Sequence, residues 1–249
     1  MIFEQTHSLR TIATIQSCYS QRFGIPRQAG LVKSALATVN FEATKDNEYS
    51  LRGIESFTHL WIIFVFHRQH YTRFKPLVQP PRLGGKKTMG VFATRSPNRP
   101  NPVGLSAVKL ERIEFGADEH KVVVRGGDFL DGTPVLDIKP YVPFVDALTD
   151  ATSAWATPID DMLSVAWDEA AETQLAAVEQ QIGTVQSGAS GLKILVEETL
   201  VQDPRPAYER AKDGKPGQQW GIQVGPVNVR FRVEDGVAFV GSVNADVDR

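Results

Sequence analysis

The sequence predicts a mainly β protein, in which a small antiparallel β-barrel is followed by a smaller α+β domain. The apolar run Leu60–Phe66 is typical of a buried strand and far too short to span a bilayer. Ala35–Phe41 alternates in polarity, and Val122–Val124 is β-branched. No long helix-period segment occurs in the first 145 residues. Without crossover helices, the strands favour an antiparallel barrel or sandwich over a parallel, doubly wound sheet.

The remaining elements of the barrel follow from local pattern. Thr11–Ile15 is a plausible first strand, and Tyr19–Gly30 is a loop by its Gly and Pro content. The apolar residues between Leu105 and Phe115 indicate a long strand or a bent pair. We therefore assign residues 1–148 to the barrel, 149–163 to a linker and 164–249 to the second domain.

The second domain combines helical and alternating patterns. Its first helix is indicated by a helical apolar spacing after Asp168, a suitable N-cap: Ala171, Leu175, Val178 and Ile182. Leu192–Leu200 predicts a second helix, ended before Pro204. Two strands, Trp220–Val224 and Val227–Val233, follow, and Asp235-Gly236 predicts a hairpin turn.

Charge is distributed unevenly along a chain of 249 residues whose net charge is only −2. No Asp or Glu occurs between Ser56 and Leu110, a stretch with nine basic residues: Arg68, Arg73, Lys75, Arg82, Lys86, Lys87, Arg95, Arg99 and Lys109. If the fold gathers them on one face, they form a phosphate-attracting patch. The alternative is that they scatter over the surface.

The single cysteine, Cys18, excludes a disulfide within the chain and a cysteine-based metal cluster. Glu4 and the lack of an early apolar segment argue against a signal peptide. We therefore expect a cytoplasmic protein without a membrane span. His67 and His70 are three residues apart, but no carboxylate or thiolate lies nearby in sequence, so we predict no metal site.

The segment Gly90–Gly104 reads GVFATRSPNRPNPVG. Its three prolines fix their own φ and restrict the preceding residues, so the loop is stiff before a ligand arrives. Arg95 and Arg99 between the prolines suit the recognition of anionic, planar groups. The alternative is a rigid surface turn whose arginines are only solvated.

Gly90–Gly104 resembles the signature of the TsaA-like family, also called TrmO. Asp131–Tyr141, Pro26–Gln28 and Gln202–Tyr208 resemble further segments of the same family, in the same order. The resemblance implies a small all-β barrel that transfers a methyl group from S-adenosylmethionine to tRNA. The implied target is the N6 nitrogen of N6-threonylcarbamoyladenosine, at adenosine-37 beside the anticodon. It also implies a homodimer.

The resemblance implies that Pro26–Gln28 contacts the cofactor and that His67 and Arg68 line its site. The zwitterionic, cationic cofactor needs guanidinium, amide and carboxylate partners. We predict this cofactor site: Pro26, Arg27, Gln28, His67, Arg68, Arg95, Leu105, Val135, Leu136, Asp137 and Ile138. Asp137 interrupts an apolar strand pattern and needs a partner such as Arg95, Lys139 or a ligand. Asp137 or Asp131 is also a candidate acceptor for the proton lost from the attacking nitrogen.

Basic and aromatic residues outside this set suit tRNA contact. We predict RNA binding by Arg82, Lys86, Lys87, Arg99, Arg205, Tyr208, Arg230 and Arg232. The alternative for the C-terminal strand is a solvated polar face. An alternative for the whole protein is a non-catalytic RNA-binding β-barrel, which the basic residues support equally well.

Overall fold

The computed structural model describes residues 7–68, 75–84, 87–156, 162–182, 191–210 and 217–246. Its first unit is a closed six-stranded antiparallel barrel with the order β1-β2-β7-β6-β3-β8. The strands are β1 (Ala13–Ser17), β2 (Leu36–Glu42), β3 (His59–Val65), β6 (Val103–Phe115), β7 (Glu119–Arg125) and β8 (Thr133–Pro140). Two short strands, β4 (Leu77–Val78) and β5 (Met89–Gly90), pair outside the barrel. The prediction of a mainly β protein with an antiparallel barrel is confirmed.

The alternating pattern of each strand places one set of side chains inside the barrel. Ile15, Val39, Leu60, Val122 and Val135 are fully buried there. The longest strand, β6, pairs with β3 along its first half and with β7 along its second. A register irregularity between residues 110 and 112 marks where β6 bends, so the long predicted segment is one bent strand.

The second unit is a four-stranded sheet covered by two helices. Its sheet order is β10-β11-β12-β9, with β9 (Ser164–Trp167) parallel to β12 (Val237–Ala245) and the middle strands β10 (Trp220–Val224) and β11 (Val227–Glu234) antiparallel. The helices are α3 (Glu169–Ile182) and α4 (Gly191–Val201). Both predicted helices are confirmed.

The predicted hairpin turn is also confirmed. Asp235 and Gly236 both have positive φ, 47° and 75°. Two successive positive φ values are the requirement of the type I′ turn that matches the twist of a hairpin. They connect β11 directly to β12.

Short helices add detail that the sequence analysis did not predict. They are α1 (Lys45–Ser50), α2 (Pro143–Asp146) and α5 (Ala207–Arg210). The side chain of Thr44 caps α1 by accepting a hydrogen bond from the Asn47 amide at 3.2 Å. Within the segment Gly90–Gly104, which we call the signature loop, Val91–Ala93 forms a 3-10 turn, and the next strand begins at Val103 rather than Leu105.

The segment between β1 and β2 belongs to both units. Tyr19, Val32 and Ala35 are buried in the core of the second unit, together with β10 and α4. The amide of Gly225 in the second unit donates to the Cys18 carbonyl at 2.7 Å. Residues 18–35, which we call the bridging segment, thus connect the barrel to the second sheet. The division at residues 149–163 stays a prediction, but it does not separate the two cores.

Within the described residues, no helix combines the length and the apolar character needed to cross a membrane.

Candidate active site

One end of the barrel opens into a cavity of about 650 Å³. Its walls come from the bridging segment, the β3 end, the signature loop, the start of β6 and the β7–β8 connection. Its charged lining residues are Arg22, Arg27, Arg68, Arg95, Arg99, His67 and Asp128. Cations therefore dominate the cavity.

The signature loop is braced by its own side chains. Thr94 Oγ accepts a hydrogen bond from the Ser96 amide at 3.2 Å. Arg99 Nη1 donates to the carbonyl oxygens of Thr94 and Ser96 at 3.0 and 3.2 Å. These bonds add to the proline restriction, so the loop presents Arg95 from a preformed backbone. Arg99, predicted to bind RNA, also lines the cavity and closes this loop.

Gly104 lets β6 pass close to an aromatic ring of β3. A Cβ built on Gly104 would lie 2.3 Å from Phe64 Cζ and 2.5 Å from Cε2. Both residues line the cavity, and the Phe64 ring packs at right angles to Phe129, with centroids 5.2 Å apart. The signature therefore ends in glycine because no side chain fits between this strand and the ring.

Pro26–Gln28 and the signature loop, both predicted to contact the cofactor, lie in contact with each other. Arg95 Nη1 donates a hydrogen bond to Gln28 Oε1, and Gln28 Nε2 donates to the Arg27 carbonyl oxygen. Pro26 and His67 lie in the wall of the same cavity. The signature loop and the bridging segment, 67 residues apart between Gln28 and Arg95, therefore form one site.

The pKa of His67, at the end of β3, lies below its ordinary value, which favours the neutral imidazole at pH 7. Burial is the largest cause of its lowered pKa, and the positive charges of Arg68 and Arg22 lower it further. Asp131 and the Val65 carbonyl act in the opposite direction. The neutral imidazole is available to the cavity as a hydrogen-bonding group.

Asp128 is a carboxylate that the sequence analysis did not select. Its Oδ1 accepts a 2.6 Å hydrogen bond from Ser106 Oγ, and Ser106 is itself buried. Burial, the largest effect, raises the pKa of Asp128, while Ser106, the Ala29 amide and Arg95 partly counteract it. Among the lining residues within the described ranges, Asp128 is the only carboxylate. Its signal in the sequence was Gly126-Gly127, two residues that permit close approach just before an acid.

Comparisons with known proteins decide the family. Residues 14–147 match the model of the tRNA-methyltransferase O N-terminal domain, and residues 160–246 match that of the TrmO C-terminal domain. The chain belongs to the TrmO family.

Relatives and a solved structure agree with this assignment. The chain is 42% identical to the tRNA (adenine(37)-N6)-methyltransferase of Escherichia coli K12, over 90% of this chain and 92% of that protein. It is 39% identical to the putative S-adenosylmethionine-dependent methyltransferase RcsF of Pseudomonas aeruginosa, over 91% and 92%. A crystal structure of TrmO from Pseudomonas aeruginosa superimposes with a TM-score of 0.76 at 33% identity, covering 97% of this chain and all of that one.

The TrmO cavity suits a zwitterionic, cationic cofactor in its donor set. Guanidinium groups can pair with a carboxylate, the Gln28 amide can pair with an adenine edge, and Asp128 supplies a negative charge. Phe64, Phe66 and Leu130 add apolar wall. Of the predicted cofactor residues, the cavity lining includes Pro26, Arg27, Gln28, His67, Arg68, Arg95 and Leu105.

The β8 residues of the predicted cofactor site do not line this cavity. Val135 is fully buried in the barrel core, and Leu136, Asp137 and Ile138 are not among the residues that line the cavity. Asp137 Oδ2 pairs with Lys139 Nζ at 3.0 Å, so Lys139 is the partner among the alternatives considered. Asp131 Oδ1 accepts a hydrogen bond from the Ser17 amide at 2.8 Å, also outside the cavity wall. A role for these residues in the site stays a prediction.

Arg205 is buried, which its sequence context did not indicate. It was predicted to contact RNA, but it is 4% exposed. Its Nε and Nη2 donate to the two carboxylate oxygens of Asp203, each at 2.8 Å, and its guanidinium lies over the Trp220 ring. The sequence pattern failed here because the acid two residues away folds back and buries the cation. Arg205 stabilises this part of the second unit, and its contact with RNA stays a prediction.

Asp203 also connects this pair to the cavity. It favours the charged form of Arg27, whose pKa is lowered mainly by burial and also by the nearby charge of Arg82. The second unit therefore contributes an electrostatic contact to Pro26–Gln28, which we call the cofactor loop after its predicted role.

The other predicted RNA contacts occupy varied positions. Arg230 and Lys87 are exposed, whereas Arg232 is half-buried over the Phe239 ring and paired with Asp168 at 3.4 Å and Glu234 at 3.3 Å. Lys86 and the side chain of Tyr208 lie outside the described residues. RNA binding by these residues stays a prediction.

In the described part of the chain, no group of three or more His, Cys, Asp or Glu residues has the arrangement of a metal site.

Proposed function

We propose that this protein is an S-adenosylmethionine-dependent tRNA methyltransferase that methylates the N6 nitrogen of adenosine-37. The observation that carries the proposal is the single cavity in which Pro26–Gln28, His67-Arg68 and Arg95 lie together. The names of the relatives that match across nine-tenths of the chain support the same reaction. The family resemblance further implies N6-threonylcarbamoyladenosine as the substrate.

The cofactor supplies an electrophilic methyl group when it is bound. The chain's own residues hold and orient the two reactants, and such positioning accounts for a large part of catalysis in a displacement reaction. Arg95, fixed to Gln28, suits a carboxylate of the cofactor. The remaining guanidiniums of the cavity suit the anionic substrate, whose threonylcarbamoyl group adds a carboxylate beside the base.

We also propose that the protein forms a homodimer and acts in the cytoplasm. The outer face of the barrel carries a row of apolar residues where β6 pairs with β3: Leu105 opposite Ile63 and Val103 opposite Val65. Leu105 is 57% exposed, which is unusual for a large apolar side chain in the middle of a sheet. Asp137 lies on the other side of Ile63. We propose this face as the dimer interface, which would place the Leu136–Ile138 segment of one copy near the cavity of the other.

The test is incubation with isotope-labelled S-adenosylmethionine and tRNA that carries or lacks the threonylcarbamoyl group, followed by nucleoside mass analysis. We expect one methyl group on the modified adenosine only. A matched variant, Arg95→Gln, should abolish both the product and the rise in melting temperature that the cofactor alone causes. A protein that binds tRNA but neither binds nor consumes the cofactor would instead be the non-catalytic RNA-binding barrel.

A further inference from the structure

Asp128 interacts with three separate segments that form the wall of the cavity. Ser106 Oγ on β6 donates to its carboxylate at 2.6 Å, and the Ala29 amide of the bridging segment also bonds to it. Arg95 of the signature loop acts on it electrostatically. A buried carboxylate with this much support is fixed in position before the substrate arrives.

The reaction requires a group of this kind. The attacking N6 nitrogen carries a proton that must leave when a bond to carbon forms. Within the described residues of the cavity wall, the only other group able to accept a proton is the neutral imidazole of His67, because the remaining ionisable groups are guanidiniums. The positive charges of Arg68 and Arg22 oppose protonation of this imidazole.

We propose that Asp128 is the proton acceptor of the methyl transfer. The inference rests on the proposed function. The N6 nitrogen forms a bond to the methyl carbon, and the electron pair of the carbon–sulfur bond passes to sulfur, which loses its positive charge. The N6 proton passes to the Asp128 carboxylate and then to solvent, so charge and atoms balance.

The surroundings of Asp128 suit this role. Burial raises its pKa, which brings a carboxylate closer to the basicity that a proton acceptor needs near neutral pH. The hydroxyl of Ser106 limits this rise from the β6 side, and Arg95 does so from the signature loop. The other charged groups that face the cavity are Arg22, Arg27, Arg68, Arg99 and His67.

Asp128→Asn tests the proposal, with Asp118→Asn in the exposed β6–β7 turn as the matched control. The asparagine oxygen still accepts from Ser106, so the variant keeps the local hydrogen bond. We expect kcat with saturating cofactor and substrate tRNA to fall by about 100-fold or more. The cofactor Kd, measured by calorimetry on the free protein, should rise by no more than about tenfold, because the variant loses one charge that attracts the cationic cofactor but keeps the local hydrogen bond. The control should change neither quantity.

Two further measurements do not depend on the activity of this variant. Because the folded pKa of Asp128 is raised, its carboxylate lowers the stability of the wild type as pH rises through that pKa. Asp128→Asn should therefore gain melting temperature relative to the wild type at pH 8 but not at pH 4. Ser106→Ala should move the acid limb of the kcat profile upward by up to ~1 pH unit, because it removes a hydrogen bond to the ionised form.

Several outcomes would overturn the proposal. They are an unchanged kcat in Asp128→Asn, a loss of cofactor affinity as large as the loss of kcat, a stability difference independent of pH, or an unmoved acid limb in Ser106→Ala. A wild-type protein that forms no methylated nucleoside would overturn the proposed function itself, and this inference with it. An active wild type with an equally active Asp128→Asn would overturn the inference alone.

Discussion

Glu198 on α4 is one of the contacts through which the second unit holds the bridging segment, and its removal tests the link between the two units. Glu198 Oε2 accepts hydrogen bonds from both the amide and the hydroxyl of Ser34, each at 2.7 Å. Ser34 is 7% exposed and lies at the end of the segment that carries Pro26–Gln28. Glu198→Ala would leave both Ser34 donors without this acceptor.

The expected loss of stability in Glu198→Ala follows from the burial of Ser34. A buried donor left unsatisfied costs about 1–3 kcal/mol, and hydrogen bonds to a charged group are at the upper end. Because the two bonds share one acceptor, their losses are not additive. We expect Glu198→Ala to lower the free energy of unfolding by about 2 kcal/mol. If about 1.4 kcal/mol of this reflects the lost ordering of the cofactor loop, cofactor affinity falls about tenfold.

The assay compares denaturant unfolding with cofactor calorimetry, and Glu197→Ala is the matched control. Glu197 lies one residue earlier on α4 and accepts from Trp167 Nε1 at 3.0 Å, a contact confined to the second unit. Its removal should lower stability without changing cofactor affinity. If both variants lose stability and neither loses affinity, the second unit does not order the cofactor loop and the reasoning is wrong.

Other predictions follow from single contacts. Gly104→Ala should cost about 1–3 kcal/mol of stability in thermal unfolding because its Cβ meets the Phe64 ring, whereas Gly90→Ala, with open space, should cost far less. His67 has a lowered folded pKa, so wild-type stability should fall as pH drops below about 6.5, more steeply than in His67→Gln. Arg205→Ala should lower the free energy of unfolding by about 3 kcal/mol in denaturant, because it leaves the buried Asp203 carboxylate without its closest cationic partner. Arg230→Ala should instead only weaken tRNA binding, measured by filter retention. A stable Arg205→Ala protein with weaker tRNA binding would restore the RNA role of Arg205.

Local periodicity predicted most of the fold. Alternation identified β2 and β11, and a continuous apolar run identified β3. Helical spacing identified α3 and α4, and Asp235-Gly236 identified the final hairpin. These patterns predict secondary structure because each element buries one face against a single core, so its apolar residues repeat with the period of the element. The signature loop was readable for a similar reason, since its prolines restrict the backbone without help from distant residues.

Long-range contacts account for what the sequence did not predict. Asp128 becomes distinctive only when Ser106, Ala29 and Arg95 converge on it from three separate segments. Arg205 looked like a solvent-facing cation until Trp220 and Asp203 enclosed it. The bridging segment looked like an ordinary barrel loop because nothing in its own pattern reveals that Tyr19 packs in another core.

The charges of the cavity explain how a chain with a net charge of −2 can bind an anionic substrate. Among the described residues, five guanidiniums and one carboxylate line the site, and the lowered pKa of His67 favours its neutral form at pH 7. Asp128 is already engaged by Ser106, so most of this positive charge remains for ligands. One guanidinium suffices for the carboxylate of a cofactor, and the surplus favours a substrate with phosphates and a carboxylate of its own. Binding of tRNA should therefore weaken steeply with salt, whereas binding of the net cationic cofactor should not.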